Sequence, residues 1–182
     1  MKTHSFKRRP GFTLVEVLTV IVIIMILAGL VVGGMALAKE KQNRDKAKVQ
    51  IHLLANALEQ YKADFGKYPE NDAAPGTLAT EKLYEALYYN GANEPDKFKI
   101  YLAELNPLAN KQGWIEYKGS KTVNTVPQPG EVKIIDPWKK EYLYRTGAAA
   151  ANPDFDLWSM GKDGKTDADD PKAKDSLDDI RN

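Results

Sequence analysis

Hydrophobic and polar positions divide the chain into segments of different character. From Phe12 to Ala38 almost every position is apolar, and Glu16 is the only charge in these 27 residues. A helix of that length covers about 40 Å, enough for a hydrocarbon core of about 30 Å. Lys7, Arg8 and Arg9 precede the run, and Lys39, Lys41 and Arg44 follow it. Positive charge packed against the start favours a cytoplasmic N-terminus and places the rest of the chain across the membrane. A cleaved secretory signal is the alternative, and Ala36-Leu37-Ala38 fits a small-residue cleavage site. The apolar stretch of such a signal spans only about 7–15 residues, well short of this run.

From Lys39 the pattern becomes amphipathic. Ile51, Leu54, Leu58, Tyr61 and Phe65 recur at alternating spacings of three and four, with Ala47 and Ala55 extending the stripe. Lys46, Lys48, Gln50, Asn56, Glu59 and Lys62 fall largely outside it. No proline interrupts residues 11–68, so one helix is predicted from about Phe12 to Asp64, stopped by Gly66 and Pro69. Residues 70–79 read as a loop, and residues 80–90 as a short helix with Thr80 as its N-cap. Residues 92–113 are ambiguous and 119–131 read as a loop. Residues 114–118, 132–135, 141–145 and 154–160 are strand candidates separated by turn residues. The expected fold class is α+β: a long N-terminal helix, its first half transmembrane and its second half amphipathic, packed on a small C-terminal antiparallel β-sheet.

Charge sharpens this division. The formal net charge of the 182-residue chain is +1. Residues 1–62 nevertheless carry ten Lys/Arg against four Asp/Glu, and residues 152–182 carry five Lys/Arg against nine Asp. The absence of cysteine excludes disulfides and thiolate chemistry. His4 and His52 are the only histidines, and no HExxH, GxSxG or P-loop pattern occurs. An enzyme is not expected. By composition alone, the acidic end reads as a solvated tail.

Two residues set the apolar run apart from a plain anchor. Glu16 is a lone carboxylate in hydrocarbon, which costs at least about 2.5 kcal/mol and marks a functional position. Gly11 lies directly between the basic leader and Phe12. A cut after Gly11 would leave a positive amine on Phe12, one helical turn from Glu16. The stretch Lys7-Arg8-Arg9-Pro10-Gly11-Phe12-Thr13-Leu14-Val15-Glu16 resembles the prepilin-type signal of type IV pilins and type II secretion pseudopilins. The resemblance implies cleavage between Gly11 and Phe12 by a prepilin peptidase, N-methylation of Phe12, and a role for Glu16 in assembly. Many relatives carry a proline inside the apolar segment, where this chain has Gly29, Gly33 and Gly34.

Three further stretches extend the resemblance to the major pseudopilins. Residues 55–69 contain the Ala-Leu, Tyr-Lys and Gly-x-Tyr-Pro pieces of their helix end. Asp136-Pro137-Trp138-Lys139-Lys140-Glu141-Tyr142-Leu143-Tyr144 is similar to Asp-Pro-Trp-Gly-x-Pro-Tyr-x-Tyr, with Lys139 for the Gly and Glu141 for the Pro. Ser159-Met160-Gly161-Lys162-Asp163-Gly164, with Asp179-Ile180 later, resembles an ending that binds a structural Ca²⁺. The resemblance implies Met160 as carbonyl donor and Asp163 as first carboxylate. Asp169 and Asp170 are the first choice for the remaining ligands, and Asp178 and Asp179 the second.

Together these readings imply a leader at 1–11, a transmembrane assembly helix at 12–38 and a periplasmic pilin-like domain at 39–182. The implied function is structural: a subunit of a type II secretion pseudopilus, a filament of copies of this chain that promotes protein export. Implied partners are prepilin peptidase, an inner-membrane assembly platform, other pseudopilins and the membrane itself, with no nucleic acid. The alternatives are a type IV pilin or minor pilin, or a plainly anchored periplasmic binding protein.

Overall fold

The computed structural model describes residues 11–70, 80–89, 99–117, 127–147 and 150–182. Residues 1–10, 71–79, 90–98, 118–126 and 148–149 lie outside the described residues, so most of the leader and of the 70–79 loop is among them. Helix α1 runs Leu14–Phe65, within two residues of the range that the apolar and amphipathic patterns predict. It passes through Gly29, Gly33 and Gly34, since glycine weakens a helix without removing a hydrogen-bond donor. Two compact units divide the chain, one ending at Lys41 and the other beginning at Gln42.

In the first unit, α1 is long and apolar enough to cross a membrane. Its large side chains are exposed within this one chain, among them Leu18, Ile21, Met25, Leu27 and Leu30.

The second unit holds the core. Ala47, Ile51, Leu54 and Leu58 of α1 are buried, together with Ala57. Phe65, the last member of the expected stripe, is 53% exposed and rests on Tyr61 with ring centroids 4.5 Å apart. Gln50 departs from the pattern in the other direction. It is buried, and its Oε1 accepts a 2.6 Å hydrogen bond from the buried Tyr142 hydroxyl. The helix ends at Gly66, whose φ of +78° suits the left-handed cap and whose N–H reaches the Lys62 carbonyl at 2.7 Å. Tyr68 then folds back to donate to Glu59 at 2.7 Å, and the Pro69 carbonyl accepts the Tyr144 hydroxyl at 2.9 Å. The Gly-x-Tyr-Pro stretch thus ties the helix end to the sheet.

Helix α2 spans Glu81–Leu87 and buries Leu83, Tyr84, Ala86 and Leu87. Thr80 makes no side-chain cap. Its hydroxyl instead donates to Glu141 at 2.7 Å and accepts the Ile134 N–H at 3.3 Å, joining α2 to the strands. The strands are β1 Ile115–Tyr117, β2 Val132–Ile134, β3 Leu143–Thr146, β4 Phe155–Ser159 and β5 Ile180–Arg181. They form two small antiparallel sheets, β1-β2 and β3-β4-β5, where the sequence suggested one. A single bridge, Ile135 to Glu141, lies between β2 and β3. In the core, α1 side chains meet Ile134, Tyr142, Tyr144, Phe155 and Leu157. The architecture is the expected α+β, pilin-like one.

Strand β5 lies inside the stretch whose composition reads as a solvated tail. Its register sets Ile180 opposite Ser159 and Arg181 opposite Trp158. Buried Ile180 and the two ladder positions fold the acidic segment back beside β4.

Candidate functional site

Two places carry the residues singled out by sequence. The first is the junction before α1. Phe12 is 86% exposed. The Thr13 N–H and hydroxyl both donate to Glu16 Oε2, at 2.8 and 2.7 Å, and the Glu16 N–H donates back to Thr13 Oγ1 at 3.3 Å. This is a reciprocal capping box: the threonine caps the first turn and the glutamate returns to the threonine backbone. The anionic carboxylate also sits at the positive end of the helix dipole. Thr13-Leu14-Val15-Glu16 is the Thr-x-x-Glu signature of that motif, so the role of Thr13 was readable from the residues, although only Glu16 was singled out.

The second place is the turn before β3 together with the acidic segment after β4. Asp136 is buried, and its Oδ1 accepts the N–H groups of Trp138 and Lys140, each at 2.9 Å. Its Oδ2 accepts the Ser159 hydroxyl at 2.6 Å, while Ser159 Oγ accepts the Gly161 N–H at 3.1 Å. Burial pushes the Asp136 carboxyl above its ordinary pKa, against the pull of the Ser159 hydroxyl and the two N–H groups. Lys139, at the position of the family's glycine, adopts φ +69°. The turn here therefore holds a residue with a side chain in the left-handed region.

Gly161 has φ +63°, and a Cβ there would lie 2.5 Å from both the carbonyl oxygen and Oδ2 of Asp178. The missing side chain allows the 178–179 stretch to come against Met160-Gly161. Asp178 Oδ2 also accepts the Asp163 N–H at 3.1 Å. Asp179 Oδ2 takes the Thr166 hydroxyl at 2.6 Å and Arg181 Nη2 at 2.9 Å, while its Oδ1 is buried without a partner. Burial raises the Asp179 carboxyl above its usual value, opposed by Thr166 and Arg181. Asp169 lies elsewhere, bonded to Arg145 Nη1 at 2.9 Å, and Asp170 caps the Lys172 N–H at 2.9 Å. Of the second-choice residues, Asp178 lies against Gly161 and the Asp163 N–H, whereas Asp179 turns to Thr166 and Arg181. Among the described residues, no group of three or more His, Asp or Glu side chains is arranged to hold a metal ion.

Sequence reasoning did not find Arg145 and Arg181. The Arg145 Nε meets the buried Asp156 Oδ2 at 2.8 Å, and Asp156 also accepts the Ala151 N–H at 2.7 Å. Burial works against ionisation of Asp156, but the Ala151 N–H, Arg145 and the Asn152 N–H outweigh it and hold the pKa below its usual value. A lone arginine next to alternating aromatics in Tyr142-Leu143-Tyr144-Arg145 was the available signal.

The family model of the prokaryotic N-terminal methylation motif matches residues 6–32. That of type II secretion system, protein G matches residues 35–98 and 117–177. The chain belongs to the type II secretion system protein G family. It is 43% identical over 161 residues to the type II secretion system core protein G of Vibrio cholerae, covering 88% of this chain and 86% of the relative. The core protein G of Aeromonas hydrophila is 34% identical over 164 residues, covering 90% of each. That of Escherichia coli K12 is 34% identical over 167 residues, covering 90% of this chain and 88% of the relative. The protein is a structural subunit of the pseudopilus, and the type IV pilin alternative is not favoured. Its family is structural rather than enzymatic. The methylation motif implies processing by prepilin peptidase, and α1 with this family membership points to anchoring in the inner membrane.

Proposed function

We propose that the chain is cut between Gly11 and Phe12, N-methylated on Phe12, and drawn by the assembly platform from the inner membrane into a helical periplasmic filament. Copies of the chain and other pseudopilins make up this filament, with the second unit of each copy on the periplasmic side. Such growth is heterologous and open-ended. The observation that carries this reading is the apolar surface of α1 before Lys39, exposed in the single chain, with one carboxylate at its start. Lipid is as apolar as these side chains, so leaving it for a filament core brings little hydrophobic gain. A polar pair then sets the register. The Glu16 carboxylate of one copy meets the Phe12 amine of a neighbour, exchanging its bonds to Thr13 for an ion pair. Glu16→Ala is expected to insert and be processed, with an intact mass starting at methylated Phe12, but to form no filaments. Normal filaments from that variant would sink the mechanism.

We also infer that Met160, through its carbonyl, with Asp163, Asp178 and Asp179, holds a structural Ca²⁺. The donors are all oxygens, which suits a hard cation. The unpartnered Asp179 Oδ1 and the close approach at Gly161 support the reading. Bound there, the ion would supply positive charge between the acidic segment and the end of β4. Calcium added after EGTA should raise the melting temperature, since a ligand at about 100 times its Kd adds about 2.7 kcal/mol. No shift would overturn it.

A further inference from the structure

The acidic segment also meets cations that belong to the chain. Buried Trp158 carries two guanidinium groups against its ring, Arg145 at 5.4 Å and Arg181 at 5.0 Å from the centroid. Each reaches past the indole into the segment. Arg145 binds Asp169 at 2.9 Å and donates to the Ala168 carbonyl. Arg181 Nη2 binds Asp179 at 2.9 Å and the Asp167 carbonyl at 3.2 Å. The Trp158 Nε1–H adds a 3.1 Å bond to Thr166, whose hydroxyl in turn donates to Asp179. The Asp179 side chain is only 1% exposed. A carboxylate so buried requires a positive partner, and among the described residues Arg181 fills that place.

We propose that Arg181 is the resident counter-ion of Asp179, that by holding Oδ2 its charge competes with that of a divalent cation at Oδ1, and that the acidic segment therefore stays docked on β4 when metal is removed. Stacking on Trp158 fixes the guanidinium beside the carboxylate, so its positioning does not depend on the ion. The competition rests on the calcium reading above; the docking does not.

The test uses the full-length protein in detergent micelles. Melting and trypsin cleavage at Lys172 and Lys174 are followed in EGTA, and Ca²⁺ affinity by calorimetry. The wild type in EGTA should resist cleavage at both lysines. Arg181→Gln should melt lower in EGTA and be cleaved there, whereas Arg181→Lys, which keeps the charge without the stacked guanidinium, should fall between that variant and wild type. Arg181→Gln with Asp179→Asn, which removes both charges, should regain most of the lost melting temperature. A merely structural arginine would not show that rescue. Calcium should bind Arg181→Gln at least tenfold more tightly than wild type. Equal affinities, or cleavage of the wild type in EGTA, would overturn the proposal. So would failure of the double variant to recover. If calcium binds neither protein, the calcium reading and the competition fall together, while the EGTA melts and the rescue still decide whether Arg181 is the counter-ion.

Discussion

Ser159 donates its hydroxyl to Asp136 across 2.6 Å, and this buried bond joins the Asp-Pro-Trp turn to the start of the acidic segment. Ser159→Ala removes a donor to a buried carboxylate and leaves the Gly161 N–H without its acceptor. The expected loss is about 1–3 kcal/mol, read from the urea midpoint. The pH dependence has a definite sign. The carboxyl of Asp136 is raised in the folded state, so its contribution is present below the unfolded value and is lost as pH climbs through the folded one. Comparing Asp136→Asn with wild type across that range should show the variant losing this fall.

Asp156 titrates in the opposite sense. Its folded pKa is depressed, so the stability it brings is present above the unfolded value of about 3.9 and disappears as pH falls below it. Asp156→Asn leaves Arg145 facing a neutral amide in a buried site. Because Asp169 still pairs with Arg145 at 2.9 Å, the expected cost at pH 7 is about 1.5–3 kcal/mol. Denaturant midpoints at pH 7 and pH 3 should show the gap between variant and wild type closing in acid.

Lys139 adopts φ +69°, a conformation that costs a residue with a side chain about 1–2 kcal/mol. Glycine relieves that strain but adds freedom to the unfolded chain, worth about 0.4–1 kcal/mol. Lys139→Gly should therefore stabilise the protein by about 0.5–1 kcal/mol. A lower thermal midpoint for this variant would show that the lysine side chain contributes more than its backbone costs.

Gln50 and Tyr142 should behave as a unit. Tyr142→Phe leaves the Gln50 Oε1 buried without its donor, at an expected cost of about 1–3 kcal/mol. Adding Gln50→Leu removes the stranded group. The double variant should lie closer to wild type than the two single losses combined, as a double-mutant cycle on denaturation free energies will show.

The large elements were legible because their signals are periodic. The stripe from Ala47 to Leu58 follows the helical repeat, Phe155–Ser159 lies within a predicted strand, and Leu143–Thr146 overlaps one and runs a residue past it. What was hidden depended on partners far away in the chain. Gln50 looks like a surface residue until Tyr142, 92 positions later, covers it. Thr80 looks like a cap until Glu141 claims its hydroxyl. Ile180–Arg181 is too short to show any alternation, so pairing with β4, rather than local preference, makes it a strand. At the candidate sites, the resemblance to the pseudopilin ending marked Met160 and Asp163; the first-choice Asp169 pairs with Arg145, and the second-choice Asp178 lies against Gly161. Arg181 escaped notice because its role comes from Trp158 lying across the sheet.

The bond between Gln50 and Tyr142 also sets a clock. The helical stripe leaves the ribosome long before the strands that cover it, and at about 5–20 residues per second the delay across 92 positions is roughly 5–20 s. For that interval Ile51, Leu54 and Leu58 have no sheet to meet. A nascent chain halted between these two residues is an unfinished head with an apolar helix face bare, and it is the stage at which a chaperone has most to hold.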